Sequence, residues 1–182
     1  MAGKGWEMAA TVLIAYCTRA GSTAEVAQAV GAALHEVGLD AEILPIDEID
    51  TINGRATVIL GAPLYMGHFP REFCRFLASN RAVLSASQCW CFVLGPTRSQ
   101  AADFDAARKQ AHKQLLRYGW FHPVDVHIFG GRWDAKNLPF PFSLARYIPG
   151  NPVARIPPAD IRDWPAIHEW AMNIACRIAS AA

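Results

Sequence analysis

The sequence predicts an α/β fold with a parallel sheet between layers of helices, and three observations predict it. Five short segments rich in β-branched or aromatic residues alternate with segments of helical periodicity. Two of them, TVLIAY at 11–16 and TVILG at 57–61, are continuous apolar runs typical of central parallel strands covered on both faces. Hydrophobic residues make up 52% of the 182 residues, which is enough for a substantial core.

The predicted strands follow from this pattern in chain order. The first and third are expected to be neighbours in the middle of the sheet, because neither shows polar alternation. The five strands are Thr11–Tyr16, Ala41–Ile46, Thr57–Gly61, Ser87–Leu94 and Pro123–Phe129.

Helical periodicity predicts two helices in the first half of the chain. The first begins in the loop at 18–23 and ends at Gly38, which can adopt a left-handed conformation. The second begins near Pro70, whose fixed φ suits a first helical turn, and ends at Asn80. The apolar stripe of the first helix is Val26, Val30, Ala33, Leu34 and Val37.

Two further helices and a long connection are predicted in the second half. Ser99 can cap the third helix, which Gly119 closes, and Asp163 can cap the last. A proline-rich segment of about 30 residues, 130–160, lies between the fifth strand and the last helix. Irregular stretches of that length usually have a function. No composition shift marks a second domain, so residues 1–182 are predicted to form one domain with this insertion.

Charge and cysteine content narrow the class of function. The formal net charge is +1, and no run of lysine or arginine concentrates positive charge, which argues against nucleic-acid binding. The longest apolar stretch, residues 8–17, is too short to span a membrane. Five scattered cysteines favour a reduced, cytoplasmic protein in which Cys89 and Cys91 are small buried hydrophobes on one strand face. No spacing of histidine or cysteine fits a metal site.

The loop after the first strand, residues 18–23, reads Thr-Arg-Ala-Gly-Ser-Thr and runs directly into the first helix. Small and hydroxyl residues at a helix N-terminus present free backbone N–H groups, hydroxyl donors and the positive end of the helix dipole, which suit a phosphate monoester. An ordinary capped turn explains the same residues. The Walker, dinucleotide and serine-hydrolase motifs are absent from the sequence.

This loop resembles the phosphate loop of flavodoxins, usually Ser/Thr-x-Thr-Gly-x-Thr. Thr18, Gly21, Ser22 and Thr23 match, whereas Ala20 stands where the pattern usually has threonine. The resemblance implies a flavodoxin-like three-layer sandwich with a five-stranded sheet in the order 2-1-3-4-5. It also implies FMN as the cofactor, with its phosphate bound by Thr18, Arg19, Ala20, Gly21, Ser22 and Thr23.

Two further loops at carboxyl ends of strands are expected to complete the site, because ligands of open α/β sheets bind there. By the same resemblance, the loop after the third strand borders the flavin ring with Pro63, Leu64, Tyr65, Met66 and Gly67. The loop after the fourth strand can offer backbone groups to the polar edge of the flavin, or it can be a simple capped turn. Its candidate residues are Gly95, Pro96, Thr97 and Arg98.

The run GAPLYMGHFPREF at 61–73 is similar, more specifically, to the menaquinone-dependent protoporphyrinogen dehydrogenases of bacterial haem synthesis. The long insertion and the Asp163–Trp164 pair that opens the last helix resemble that family too. In this chain, prolines stand in the insertion where that family is expected to have a helix rich in basic residues. The resemblance implies protoporphyrinogen IX as electron donor and a quinone as acceptor.

Two residues are candidates for catalysis. His68 lies in a predicted ligand loop, where it could stabilise a reduced flavin or take a substrate proton; an exposed loop histidine is the alternative. Arg132, beside Trp133 and two glycines, can grip a planar anionic substrate. A solvated arginine next to a core tryptophan explains that pair equally well.

Residues and resemblance together predict an FMN-dependent oxidoreductase acting on a small molecule, in the cytoplasm or at the inner face of the membrane. The alternatives are a soluble flavodoxin-type electron carrier and a flavodoxin-like binding module without catalysis. Carriers are expected to be strongly acidic, unlike this chain at +1. The aromatic and basic composition of residues 130–150 predicts peripheral membrane contact, or a loop that packs on the domain itself.

Overall fold

A five-stranded parallel sheet in the order β2-β1-β3-β4-β5 forms the centre of the molecule. The computed structural model describes residues 12–134 and 157–181. β1 and β3 are neighbours in mid-sheet, in register from Val12 opposite Thr57, so the predicted fold class and strand order are confirmed. The strands are β1 (Val12–Tyr16), β2 (Ala41–Pro45), β3 (Thr57–Pro63), β4 (Gln88–Leu94) and β5 (Asp125–Phe129).

Helices cover both faces of this sheet and bury a separate core on each. On one face lie α1 (Ser22–Glu36) and α5 (Trp164–Ala181); on the other lie α2 (Arg71–Ser79), α3 (Arg81–Ala86) and α4 (Ala101–Leu115). Because neighbouring strand residues point to opposite faces, the continuous apolar runs of β1 and β3 supply both cores. Because all five strands are parallel, their carboxyl ends lie at the same edge of the sheet.

Several local predictions are confirmed by hydrogen bonds and burial. Gly38 has a left-handed φ of +80° just past α1. The Asp163 carboxylate caps α5, accepting a hydrogen bond from the Ala166 N–H at 3.0 Å. Cys89 and Cys91 are buried in the same core, and burial raises the pKa of the Cys89 thiol to about 12. Both cysteines therefore pack as hydrophobes, as predicted.

Other local predictions are wrong, for identifiable physical reasons. Ser99 does not cap α4, whose N-cap is Gln100 without a side-chain hydrogen bond. That helix ends at Leu115, before Gly119. Val37 is 46% exposed because it follows the end of α1 instead of continuing its buried stripe. β3 runs on to Pro63, because pairing with β4 continues as far as Leu94.

One helix, α3, is not predicted from the sequence. The Asn80 side chain donates to the Phe76 carbonyl at 2.9 Å and ends α2, as expected. Its own carbonyl, however, accepts from the Leu84 N–H at 3.0 Å, so a six-residue helix resumes at once. Leu84 is the buried residue of that helix, and one apolar position is too few to show a period.

The long insertion is closed at its base by a small antiparallel pair, β6 (Arg132–Trp133) and β7 (Ala159–Asp160). Arg132 lies opposite Asp160 in that pair. Residues 135–156, which carry most of the predicted membrane-contacting segment, lie outside the described residues. Among the residues that are described, no helix has both the length and the hydrophobicity needed to cross a bilayer.

Candidate functional site

Loops from the carboxyl ends of the strands enclose a cleft of about 300 Å³. It is the place where ligands of open α/β sheets bind. A larger cavity of about 520 Å³ lies between β5 and α5, away from these loops. The smaller cleft is the candidate site because the predicted loops meet in it; it is lined by Ser22, Pro63, Leu64, Tyr65, Met66, Leu94, Gly95, Pro96, Thr97, Gly131, Arg132 and Trp133.

The loop after β1 forms a tight turn into α1. Gly21 has a left-handed φ of +83°, and its N–H donates to the Thr18 hydroxyl oxygen at 3.0 Å. The Gly21 carbonyl accepts from the Glu25 N–H at 3.1 Å, which begins the helical hydrogen-bonding pattern. The N–H groups in the first turn of a helix have no intrahelical acceptor. They and the helix dipole therefore favour an anion at this turn.

Thr23 supplies an independent sign that this loop binds a ligand. The residue is fully buried, at 0% exposure, and its Oγ1 has no hydrogen-bond partner within residues 12–134 and 157–181. A buried hydroxyl without a partner costs about 1–3 kcal/mol. A phosphate oxygen would accept a hydrogen bond from this hydroxyl, so the loop fits a phosphate monoester even though Ala20 lacks the hydroxyl of the usual motif.

The loop after β3 is a short hairpin beside the cleft. Tyr65 and His68 exchange two backbone hydrogen bonds, each 2.9 Å long, across a turn in which Met66 and Gly67 have φ of 49° and 81°. The Leu64 N–H donates to the Leu94 carbonyl at 2.8 Å, which ties the hairpin to β4. Met66, 98% exposed at the tip, presents an apolar side chain to solvent at the cleft rim.

Tyr65 is half-exposed beside the cleft, with a cation over its ring. The Arg19 guanidinium lies 5.5 Å from the ring centroid and forms a 3.2 Å ion pair with Glu72. Burial raises the pKa of the Tyr65 phenol above its usual value, although Arg19 opposes this. Tyr65 is therefore a neutral aromatic side chain at physiological pH, available for contact with a planar ring.

The loop after β4 is held against the chain that follows β5. The Gly131 N–H donates to the Pro96 carbonyl at 2.7 Å, and a Cβ on Gly131 would lie 2.9 Å from the Gly95 carbonyl oxygen. This close approach requires glycine. Thr97 lines the cleft, whereas Gly67 and Arg98 line a neighbouring cavity of about 240 Å³. Most of the predicted cofactor residues are thus brought together, and their roles in binding stay predictions.

The two predicted catalytic residues lie in different surroundings. His68 is outside the lining of the cleft, and its Nδ1 lies 3.1 Å from Gln114 Nε2. Arg132 does line the cleft, but its guanidinium forms a 2.7 Å ion pair with Glu25 at the start of α1. Neither placement tests the predicted roles, which stay predictions.

Sequence reasoning did not single out Glu25 or Arg162. Glu25 joins Arg132 to Arg162, with an Arg162 Nη1 to Glu25 Oε2 distance of 2.7 Å. The Arg162 side chain is only 3% exposed. An acidic residue in a first helical turn is a common dipole partner, and Arg162 is 137 positions away from it, so no local signal could have revealed this contact.

Comparison with known proteins identifies the family. A flavodoxin domain model matches residues 13–141. The chain belongs to the flavodoxin domain family. FMN is the cofactor of this family, as predicted, and the residues at 18–23 fit its phosphate. No curated protein matches the chain.

Solved flavodoxins share the fold of this flavodoxin domain at low sequence identity. The Streptococcus pneumoniae flavodoxin is 14% identical, with a TM-score of 0.53 over 92% of this chain and 99% of its own. A cysteine-to-serine mutant of the Pseudomonas aeruginosa flavodoxin is 20% identical, with a TM-score of 0.51 over 89% and 97%. Oxidised flavodoxin 1 from Bacillus cereus is 16% identical, with a TM-score of 0.50 over 70% and 88%.

Replacing Tyr65 by alanine is expected to raise the FMN dissociation constant about two- to tenfold, because an aromatic contact contributes about 0.5–1.5 kcal/mol. The visible absorption bands of the bound flavin should also shift. Tyr65→Phe, which keeps the ring, is the matched control and should bind FMN like wild type. An alanine variant with wild-type affinity and spectrum would show that Tyr65 does not contact the flavin.

Proposed function

We propose that this flavodoxin domain is an FMN-dependent oxidoreductase. It takes electrons from a small reduced substrate, protoporphyrinogen IX by resemblance, and delivers them to a quinone. The observation that carries the proposal is the placement of the insertion: β6, at one end of it, lines the cleft, and β7 pairs with β6. Both ends of the unusual segment therefore lie beside the predicted cofactor site.

The described residues supply what FMN needs in this cleft. The N–H groups at the start of α1 and the hydroxyls of Thr18, Ser22 and Thr23 would hold the phosphate. Apolar and aromatic side chains, Leu64, Tyr65 and Trp133 among them, would exclude water from the ring. When bound, FMN supplies the two-electron chemistry that the side chains of a protein cannot perform.

The residues around the cleft suit a substrate with a large apolar surface. The chain has a formal net charge of +1, and among the described residues that line the cleft one is charged, Arg132, which pairs with Glu25. An apolar substrate would gain from burial against Met66 and Trp133 at the rim. His68, on the same hairpin as Tyr65, would accept a proton released on substrate oxidation if a ligand drew it towards the cleft.

The second candidate function is that of an electron carrier without a substrate of its own. The family match favours it, since electron transfer by FMN is the function that flavodoxin domains have in common. The charge of +1 does not favour it, because carriers that dock on basic partners are expected to be acidic. The insertion at 130–160 has no function in this alternative.

An anaerobic assay separates the two functions. FMN-loaded protein is mixed with protoporphyrinogen IX and a menaquinone analogue, and porphyrin fluorescence is followed. The proposal expects porphyrin to form at a rate proportional to protein and dependent on both FMN and quinone. A protein that binds FMN and is reduced by a general flavodoxin reductase, yet forms no porphyrin, would be a carrier. A protein that binds no FMN would be a binding module.

A further inference from the structure

We propose that Arg132 is a ligand of the FMN phosphate, held towards the phosphate loop by an ion-pair chain of Glu25, Arg162 and Asp160. The inference rests on the proposed function only in that the domain must bind FMN. It assigns Arg132 to cofactor binding instead of to the anionic substrate that the sequence suggests. It also makes the ends of the insertion part of the phosphate site.

The Arg132 guanidinium lies beside the predicted phosphate loop. Its Nη2 donates to the Ala20 carbonyl at 3.4 Å, and a Cβ on Gly21 would lie 3.9 Å from the same nitrogen. The guanidinium therefore lies against the turn that presents the free N–H groups of α1. Ala20 is also the residue that lacks the hydroxyl of the usual motif, so Arg132 brings a donor to the loop that has lost one.

The ion-pair chain holds the Arg132 guanidinium beside this loop. Arg132 Nη1 lies 2.7 Å from Glu25 Oε1, and Glu25 Oε2 lies 2.7 Å from Arg162 Nη1. Arg162 in turn pairs with Asp160, which lies opposite Arg132 in the β6–β7 pair. A guanidinium held by several partners loses little entropy on binding an anion.

Charge and exposure together indicate which arginine of the ion-pair chain can bind the phosphate. Two arginines and two carboxylates make the ion-pair chain neutral by itself, and hydrogen bonding to Arg162 holds the pKa of the Asp160 carboxyl below its usual value. Both carboxylates of the chain are thus matched by arginines before any ligand binds. Arg132 is 24% exposed, whereas Arg162 is 3% exposed. Of the two arginines, Arg132 is therefore the one with surface available to a phosphate, and Arg162 is a positioning residue.

The test compares two flavins that differ by the phosphate. Dissociation constants of FMN and riboflavin are measured by flavin-fluorescence titration of the apo-protein for wild type and Arg132→Gln. A hydrogen bond between charged groups predicts an FMN constant raised roughly tenfold or more, with riboflavin changed less than about twofold. Arg132→Lys, which keeps the charge without the planar fork, should lose less. Arg108→Gln on α4, whose arginine pairs with Asp105, is the control and should match wild type.

A double variant tests the positioning role of Arg162. Arg162→Gln should lower the preference for FMN over riboflavin, and should have no further effect in the Arg132→Gln background, because it acts through Arg132. An unchanged preference in both Arg132→Gln and Arg132→Lys would overturn the inference while leaving FMN binding and the proposed function intact. A raised KM for the substrate with unchanged FMN affinity would instead return Arg132 to substrate binding. Failure of wild type to bind FMN would overturn both proposals.

Discussion

Thr23→Val is expected to weaken FMN binding about tenfold or more without destabilising the apo-protein. The substitution removes the hydroxyl and keeps the shape of a fully buried side chain. Thr23 Oγ1 has no partner among the described residues, so its loss removes a desolvation cost of about 1–3 kcal/mol in the apo-protein. With FMN bound, the same loss removes a hydrogen bond to a charged phosphate, worth about 1.5–3 kcal/mol.

Two measurements on the same variant check this prediction: flavin-fluorescence titration for affinity and urea denaturation for the free energy of unfolding. Thr57→Val is the matched control, because Thr57 is also a buried threonine, at 5% exposure, but begins β3 far from the loop. The control should bind FMN like wild type. If Thr23→Val also binds FMN with wild-type affinity, the loop at 18–23 is a capped turn and not the phosphate site.

Replacing residues 136–148 with a short Gly/Ser linker is expected to abolish quinone reduction and binding to anionic vesicles, while FMN affinity stays at the wild-type value. The segment combines aromatic and aliphatic residues with Lys136 and Arg146, a mixture suited to a lipid interface where a quinone dissolves. Each cation near an anionic surface contributes about 1 kcal/mol. The ends of the replaced segment stay outside β6 and β7, so the cleft should keep its lining.

Vesicle sedimentation and the quinone assay are read together for this prediction. A double variant, Lys136→Gln with Arg146→Gln, keeps the aromatic residues and removes two cations, so its vesicle binding should be weaker than that of wild type and should depend less on salt. If the linker variant reduces quinone at the full rate and neither it nor wild type pellets with vesicles, the segment packs on its own domain. The oxidoreductase proposal would then lose its mechanistic support.

The sequence predicts most of this fold because local patterns dictate it. In a strand with a continuous apolar run such as TVILG, side chains on both faces must be buried. Parallel strands joined by helices bury both faces of a sheet. Gly38 and Asp163 end and begin helices through interactions within four residues. The sequence does not reveal α3, because its apolar pattern is too short to show a period. Ser99 is predicted to cap α4 but does not, because a serine near a helix start can cap the helix without being needed there.

The turn at residues 18–23 is also predictable, since those residues are contiguous and its hydrogen bond from the Gly21 N–H to Thr18 spans three positions. Its role in binding phosphate stays a prediction. The residues that surround this turn could not be predicted from the sequence. Arg132 meets Glu25 across 107 positions, and Arg162 meets it across 137. Gly131 lies against the Gly95 carbonyl because β4 and β5 end side by side.

By itself, therefore, the sequence determined the class of fold, and the resemblance of residues 18–23 to the flavodoxin loop predicted the cofactor. The fold class depends on periodicity, and the resemblance on a run of six contiguous residues. Only the tertiary structure decided that His68 turns to Gln114 and that Arg132 turns to the phosphate loop. The physical reason is that a polar or charged side chain that loses water on folding needs a hydrogen-bond or ion-pair partner, and the packing of distant strands and helices decides which partner lies within reach.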